Sequence, residues 1–279
     1  MVKLEASASV FAALDSFWYR NGRARVAAEW QAGIKRQDSK DFFWSVLLDG
    51  ALLDGGVAQL GRAMGHPKYG VMSNFAAITC LGQDAYEDEL ESFLRPMAEG
   101  GMGHRWGARR PAGRIFRLLA GAPLKIIAAY GSVDAAGAGL LKAQTYTAAK
   151  TWLDAVLPPS WEKNRSNFLM NLSLKVSVDD LAVDVRLKNI AAAWSALMSR
   201  SLDTKDHAQV KDYFRNQILP YYLASADGPK NLWSLDRAMF AAYADDPAFA
   251  TALGLRRRLT NRGDGVPSSR LPCAGAICS

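Results

Sequence analysis

The chain has 279 residues, and a hydrophobic share of 49% with 8 Trp and 11 Phe is ample for a core in one large domain or in two lobes sharing a cleft. Its net charge of +7 and pI of about 9.3 favour polyanionic partners such as nucleic acid or anionic lipid. The three cysteines (Cys80, Cys273, Cys278) and three histidines (His66, His104, His207) have no zinc-ligand spacing, and no apolar run approaches the roughly eighteen residues of a membrane span, so zinc-centred and membrane-spanning classes are set aside.

Low cysteine usage fits a reducing cytoplasm, and Met-Val-Lys-Leu-Glu at the start lacks the basic-then-apolar pattern of a leader. No cofactor or metal is expected. Cys80 sits in an apolar stretch and reads as a small core residue.

Apolar residues recur at three- and four-residue spacing along most of the chain, and β-branched runs are rare, so the fold class expected is all-α. Asp38 or Ser39 can cap a helix carrying Phe42, Phe43, Val46, Leu47 and Leu48, with Gly55-Gly56 as its breaker. Residues 84–95 make an acid-rich amphipathic helix with Leu90, Phe93 and Leu94 on its apolar side, and Gly100, Gly101 and Gly103 mark a loop. Helices are expected over 108–120, 133–142 and 144–156. Pro158-Pro159 then forces a tight turn. Further helices are expected at about 163–174, 185–200, 206–224, 233–244 and 247–258, with 175–183 as an extended link. From Thr260 the composition is too polar to fold alone, so 260–279 reads as a disordered tail. There is no internal repeat and no heptad pattern.

The turn and the link carry the chemistry. A turn between two helices exposes N–H groups at the start of the second, here from Ser160, Trp161 and Glu162, and those groups with the helix dipole attract a phosphate. Lys163 falls in that first turn, where a lysine ion-pairs with phosphate or, partly desolvated, attacks an electrophilic carbon. The plain alternative is a solvent-facing helix lysine. Asp184 follows Leu181-Ala182-Val183 and precedes Val185. An acid inside an apolar run needs a partner, and an N-cap for the helix beginning near Val185 supplies one. One oxygen can cap while the other faces a substrate.

Leu157 to Leu172 resembles the helix-hairpin-helix element of the DNA glycosylase superfamily that includes oxoguanine glycosylases and endonuclease III. Lys163 falls on the motif lysine, Ser166, Phe168, Leu169, Asn171 and Leu172 fall on the following helix, and Leu181 to Arg186 matches the segment with the catalytic aspartate. His104-Arg105-Trp106 through Arg109, Arg110, Ala112 and Ile115 is similar to the basic DNA-backbone segment. Leu235 to Phe240 is similar to the closing helix of compact oxoguanine glycosylases. Pro159 and Trp161 replace both hairpin glycines, so the turn differs from the family's, and the linker before Asp184 is longer by two or three residues.

The resemblance implies a two-lobed helical glycosylase with a modified helix-hairpin-helix and a cleft between lobes. Lobe one is expected over about 41–156, and lobe two over 1–40 plus 157–259. It implies Asp184 and Lys163 as catalytic residues and Phe42, Trp44, Trp233, Asp236 and Phe240 as substrate contacts. DNA contacts are implied for Arg105, Arg109, Arg110, Ser160, Trp161, Arg165 and Arg186. The partner expected is double-stranded DNA with a modified base, met by a cytoplasmic monomer away from any membrane. The favoured target is a bulky modified cytosine of phage DNA, glucosylated hydroxymethylcytosine, in antiviral defence. The alternatives are an oxoguanine glycosylase/lyase of base excision repair and a non-catalytic helical DNA-binding module.

Overall fold

Apolar residues recurring every three or four positions make helices, and helices are the regular structure the described residues form, with no strand among them. The computed structural model describes residues 7–54, 57–98, 113–225 and 231–255. In chain order the helices are α1 (Ala8–Phe17), α2 (Arg23–Arg36), α3 (Phe42–Leu53), α4 (Val57–Met64), α5 (Tyr69–Ser73), α6 (Phe75–Cys80), α7 (Gln83–Met97) and α8 (Arg114–Tyr130). Then come α9 (Val133–Leu141), α10 (Tyr146–Leu153), α11 (Glu162–Asn171), α12 (Val185–Leu197), α13 (His207–Tyr213), α14 (Leu219–Ser225), α15 (Leu232–Asp245) and α16 (Pro247–Ala252). Five-residue π-turns, Trp18–Gly22 and Phe214–Ile218, join α1 to α2 and α13 to α14. No single described helix is long and apolar enough to cross a membrane.

The chain divides into two units: a middle unit, 33–176, and a terminal unit made of 1–32 and 177–279. The division falls within α2 and after residue 176, so the turn and α11, with Lys163, belong to the middle unit and Asp184 to the terminal one.

In the middle unit α3 is the central helix. It is apolar nearly all round, which suits only a core position, and Phe43, Trp44, Val46, Leu48 and Leu52 are sealed from solvent. It packs on α4, α8, α9 and α11. Gly137 lets α9 approach closely, since a Cβ there would stand 2.7 Å from the Phe42 ring.

Helix α8 continues to Tyr130, well past the end expected near residue 120, although Pro123 lies inside it. Proline cannot donate to the carbonyl four residues back, here Leu119. The buried Tyr86 hydroxyl donates to that oxygen instead, at 2.9 Å. Tyr86→Phe is therefore expected to leave a buried carbonyl unpaired and lower stability by roughly 1–3 kcal/mol, read by urea unfolding. An unchanged midpoint would remove this account of why α8 tolerates its proline.

In the terminal unit Leu14, Trp18, Trp194, Leu235, Met239 and Phe249 lie in the core. Asp206, Asn231 and Asp246 cap α13, α15 and α16 by accepting first-turn N–H groups. The single helix expected over 206–224 is interrupted by the second π-turn, which leaves the apolar spacing almost unaltered and so gives no signal in the sequence. Cys80 ends α6 exposed, not in the core as expected. Gly55-Gly56, the glycine loop at 100–103, Arg105, Arg109, Arg110 and the tail from residue 260 lie outside the described residues.

Candidate functional site

The link from residue 177 to Asp184 is short of regular structure but held at successive points. Val178 accepts from the Trp233 amide at 3.0 Å, and the Asp179 carbonyl accepts from Arg215 at 3.0 Å. Buried Asp180 pairs with Lys211 at 2.6 Å. Leu181, Ala182 and Val183 are then buried, and the next residue is Asp184, half-buried at the start of α12. One carboxylate oxygen of Asp184 accepts the Leu187 N–H at 2.9 Å, the N-cap geometry anticipated from the sequence. That bond uses Oδ1 and fixes the side chain, while the acid keeps partial access to solvent.

Helix α15 presents Trp233, Asp236, Arg237 and Phe240 at the spacing that places residues on one face. Trp233 is buried edge-on against Trp30, at 4.9 Å between ring centres. Arg237 lies over the Trp233 ring at 5.7 Å and 3.8 Å from Glu29. Phe240 is half-buried, and the guanidinium of Arg186, from the first turn of α12, lies 4.2 Å from its ring centre.

Between these sits Asp236, only 6% exposed, with no hydrogen bond or ion pair to any described residue. Burial pushes its carboxyl up to about 7; Arg237 pulls the other way, while the negative charges of Asp184, Asp180 and Glu29 raise it further. At and below neutral pH half or more of Asp236 therefore carries its proton. One unit thus holds a capped carboxylate and an acid that this carboxylate's charge helps to keep protonated. Such a difference in environment separates an acid from a base in many hydrolytic sites.

The structure thus gathers Asp184, Arg186, Trp233, Asp236 and Phe240 in the terminal unit. Trp30, Glu29, Asp180 and Lys211 frame them and were missed from sequence. Their only signal was a place on apolar helix faces or beside the link, which a single chain does not distinguish from ordinary packing.

The middle-unit residues fare differently. Phe42 and Trp44 belong to the core around α3, and the Trp44 indole donates to the Met72 carbonyl at 2.6 Å, so they are packing residues and not an open wall. The two prolines and Trp161 make a 3₁₀ turn, Pro159–Trp161, in place of a glycine hairpin. The Trp161 N–H, expected to face a phosphate, is taken by the Pro158 carbonyl at 2.8 Å, and its ring is buried beneath the Arg114 guanidinium at 4.4 Å. Arg165, expected to reach DNA, is buried between Asp154 and Glu162, and Lys150 also pairs with Glu162. Its charge is neutralised inside the unit. Ser160 is exposed. Lys163 is half-buried in the first turn of α11, with no hydrogen bond or ion pair to the described residues.

No family model matches this chain, and no curated protein or solved structure does.

Proposed function

We propose that the protein is a DNA glycosylase that takes a modified base out of the duplex and cuts its C1′–N bond, leaving an abasic site. The observation that carries the reading is Asp184: a half-buried carboxylate fixed by an N-cap bond, in the same unit as the neutral acid Asp236 and the Arg186–Phe240 stack. Cleavage of a glycosidic bond builds positive charge on the sugar, and a fixed carboxylate stabilises that charge because it need not reorganise as the charge appears. Planar and cationic groups on one face suit an unstacked base. The basic balance of the chain supports binding to a polyanion. The favoured substrate is DNA carrying glucosylated hydroxymethylcytosine, in antiviral defence.

The test is incubation of the full chain with duplexes carrying one glucosylated hydroxymethylcytosine, one oxoguanine or no modification, followed by labelling of abasic sites. Release from the modified cytosine is the expected result. Release from oxoguanine alone points to repair, and DNA binding without abasic product on any duplex points to a non-catalytic module.

Lys163 is the proposed amine nucleophile for a lyase step, in which its Nζ attacks C1′ and gives a Schiff base. Borohydride is then expected to trap a covalent protein–DNA adduct in the wild type and not in Lys163→Ala. Unchanged trapping in the variant removes Lys163 from the mechanism and assigns the Schiff base to another amine, whereas no trapping in the wild type leaves base removal by water.

A further inference from the structure

Asp236 is a buried polar group that the fold itself does not explain. At 6% exposure, with no hydrogen bond or ion pair to a described residue, an ionised carboxylate there would be costly. Burial favours the neutral acid, and a neutral acid is a two-way hydrogen-bonding group. Its O–H donates and its C=O accepts, side by side. One turn along the same helix face stands Phe240, half-buried, with the Arg186 guanidinium over its ring.

Resting on the glycosylase reading, we propose that Asp236 recognises the N3/N4 edge of a flipped-out cytosine, donating its O–H to N3 and accepting from the N4 amino group, and that it passes this proton to N3 as the base leaves. The edge of a base decides the match. Cytosine offers an acceptor next to a donor, the complement of a neutral acid. Guanine and oxoguanine offer two adjacent donors, N1–H and N2–H, which suit an ionised carboxylate. Uracil and thymine carry a hydrogen on N3 already and cannot take the proton there. Adenine has a similar edge, but its N1 lies in the ring remote from the glycosidic N9, whereas cytosine N3 shares its ring with the glycosidic N1.

The step balances. The Asp236 O–H bond breaks and its proton joins N3. The C1′–N1 bond breaks and its electron pair stays on the ring, so the base departs neutral. Where water rather than the Lys163 amine is the nucleophile, it adds to C1′ and gives a proton to Asp184; in either case solvent returns a proton to Asp236. Arg237, Glu29, Asp180 and Asp184 are the charged groups around Asp236, three of them negative, and they oppose its ionisation.

The experiment uses the full chain and duplexes with a single glucosylated hydroxymethylcytosine or a single oxoguanine. Asn at residue 236 keeps one donor and one acceptor but has no transferable proton. Asp236→Asn is therefore expected to leave KM within about threefold and to lower kcat on the order of 10²-fold or more, with the wild-type fall in rate above neutral pH lost in the variant. A substrate-side arm needs no variant: replacing N3 of the target by C–H, as in the 3-deaza analogue with the same 5-substituent, is expected to slow the wild type on the order of 10²-fold. Abasic product with an unaltered rate and pH profile in Asp236→Asn, full release of the 3-deaza base, or faster release of oxoguanine than of the modified cytosine overturns this proposal and leaves the glycosylase reading standing. No abasic product from any duplex overturns both.

Discussion

Asp184→Asn is expected to remove base release while leaving the melting temperature close to that of the wild type. The two halves of that result come from the same side chain. Its Oδ1 accepts the Leu187 N–H at the start of α12, and asparagine is about as good an N-cap as aspartate, so the amide preserves the bond and the helix start. The amide carries no charge, so the positive sugar loses its fixed counter-charge. The loss of one preorganised group of this kind costs on the order of 10²–10³ in rate. Asp184→Ala separates the two roles. It is expected to be equally inactive and also less stable, by about 1 kcal/mol. Rapid abasic-site formation by Asp184→Asn on the substrate that the wild type cleaves would end the catalytic assignment. A melting point that falls as far in Asn as in Ala would end the capping argument.

The second large effect is on stability against pH, and it needs no substrate. Folding raises the Asp236 carboxyl from its ordinary 3.8 to about 7. Between those values the folded chain holds a proton that the unfolded chain has released. Stability is then fullest below about pH 4 and declines as pH rises through the window, levelling above about pH 7. A shift of about three units corresponds to roughly 4 kcal/mol across that range. Asp236→Asn has no proton to lose. The variant is expected to match the wild type near pH 4 and to exceed it by roughly 3–4 kcal/mol at pH 8, as urea unfolding at several pH values would read. The difference between the two proteins is the useful quantity, since it cancels the titration of groups remote from residue 236. A constant difference from pH 4 to pH 8 would show that Asp236 is not held neutral by burial. A more stable, catalytically slower variant would be an ordinary outcome for a residue kept for chemistry at a cost to the fold.

Much of the fold was legible because it is local. The helix after Asp184 follows from an acid placed before an amphipathic run, and α7 and α9 follow from apolar spacing. What was not legible depends on partners far away in sequence. Residues 42–53 are apolar on all sides, so nothing in them says which face meets a substrate, and Phe42 and Trp44 proved to be packing residues. Arg165 reads as a free cation until Asp154, eleven residues earlier, is brought against it. The run of α8 past Pro123 hangs on the Tyr86 hydroxyl, thirty-three residues from the carbonyl it serves. In the candidate site the sequence singles out Asp184, Arg186, Trp233, Asp236 and Phe240, and the structure places all of them in the terminal unit. Their frame of Trp30, Glu29, Asp180 and Lys211 appears only when three separate stretches of chain fold together.

The bond from the Trp233 amide to the Val178 carbonyl ties two things together. An amide in the first turn of a helix ordinarily has no partner within that helix and frays easily. In α15 that amide is spent on the link that leads to Asp184. Fraying of the helix start therefore removes one of the holds on the link, beside those that Arg215 and Lys211 supply. The same bond thus couples the order of the capped carboxylate to that of the helix carrying Asp236.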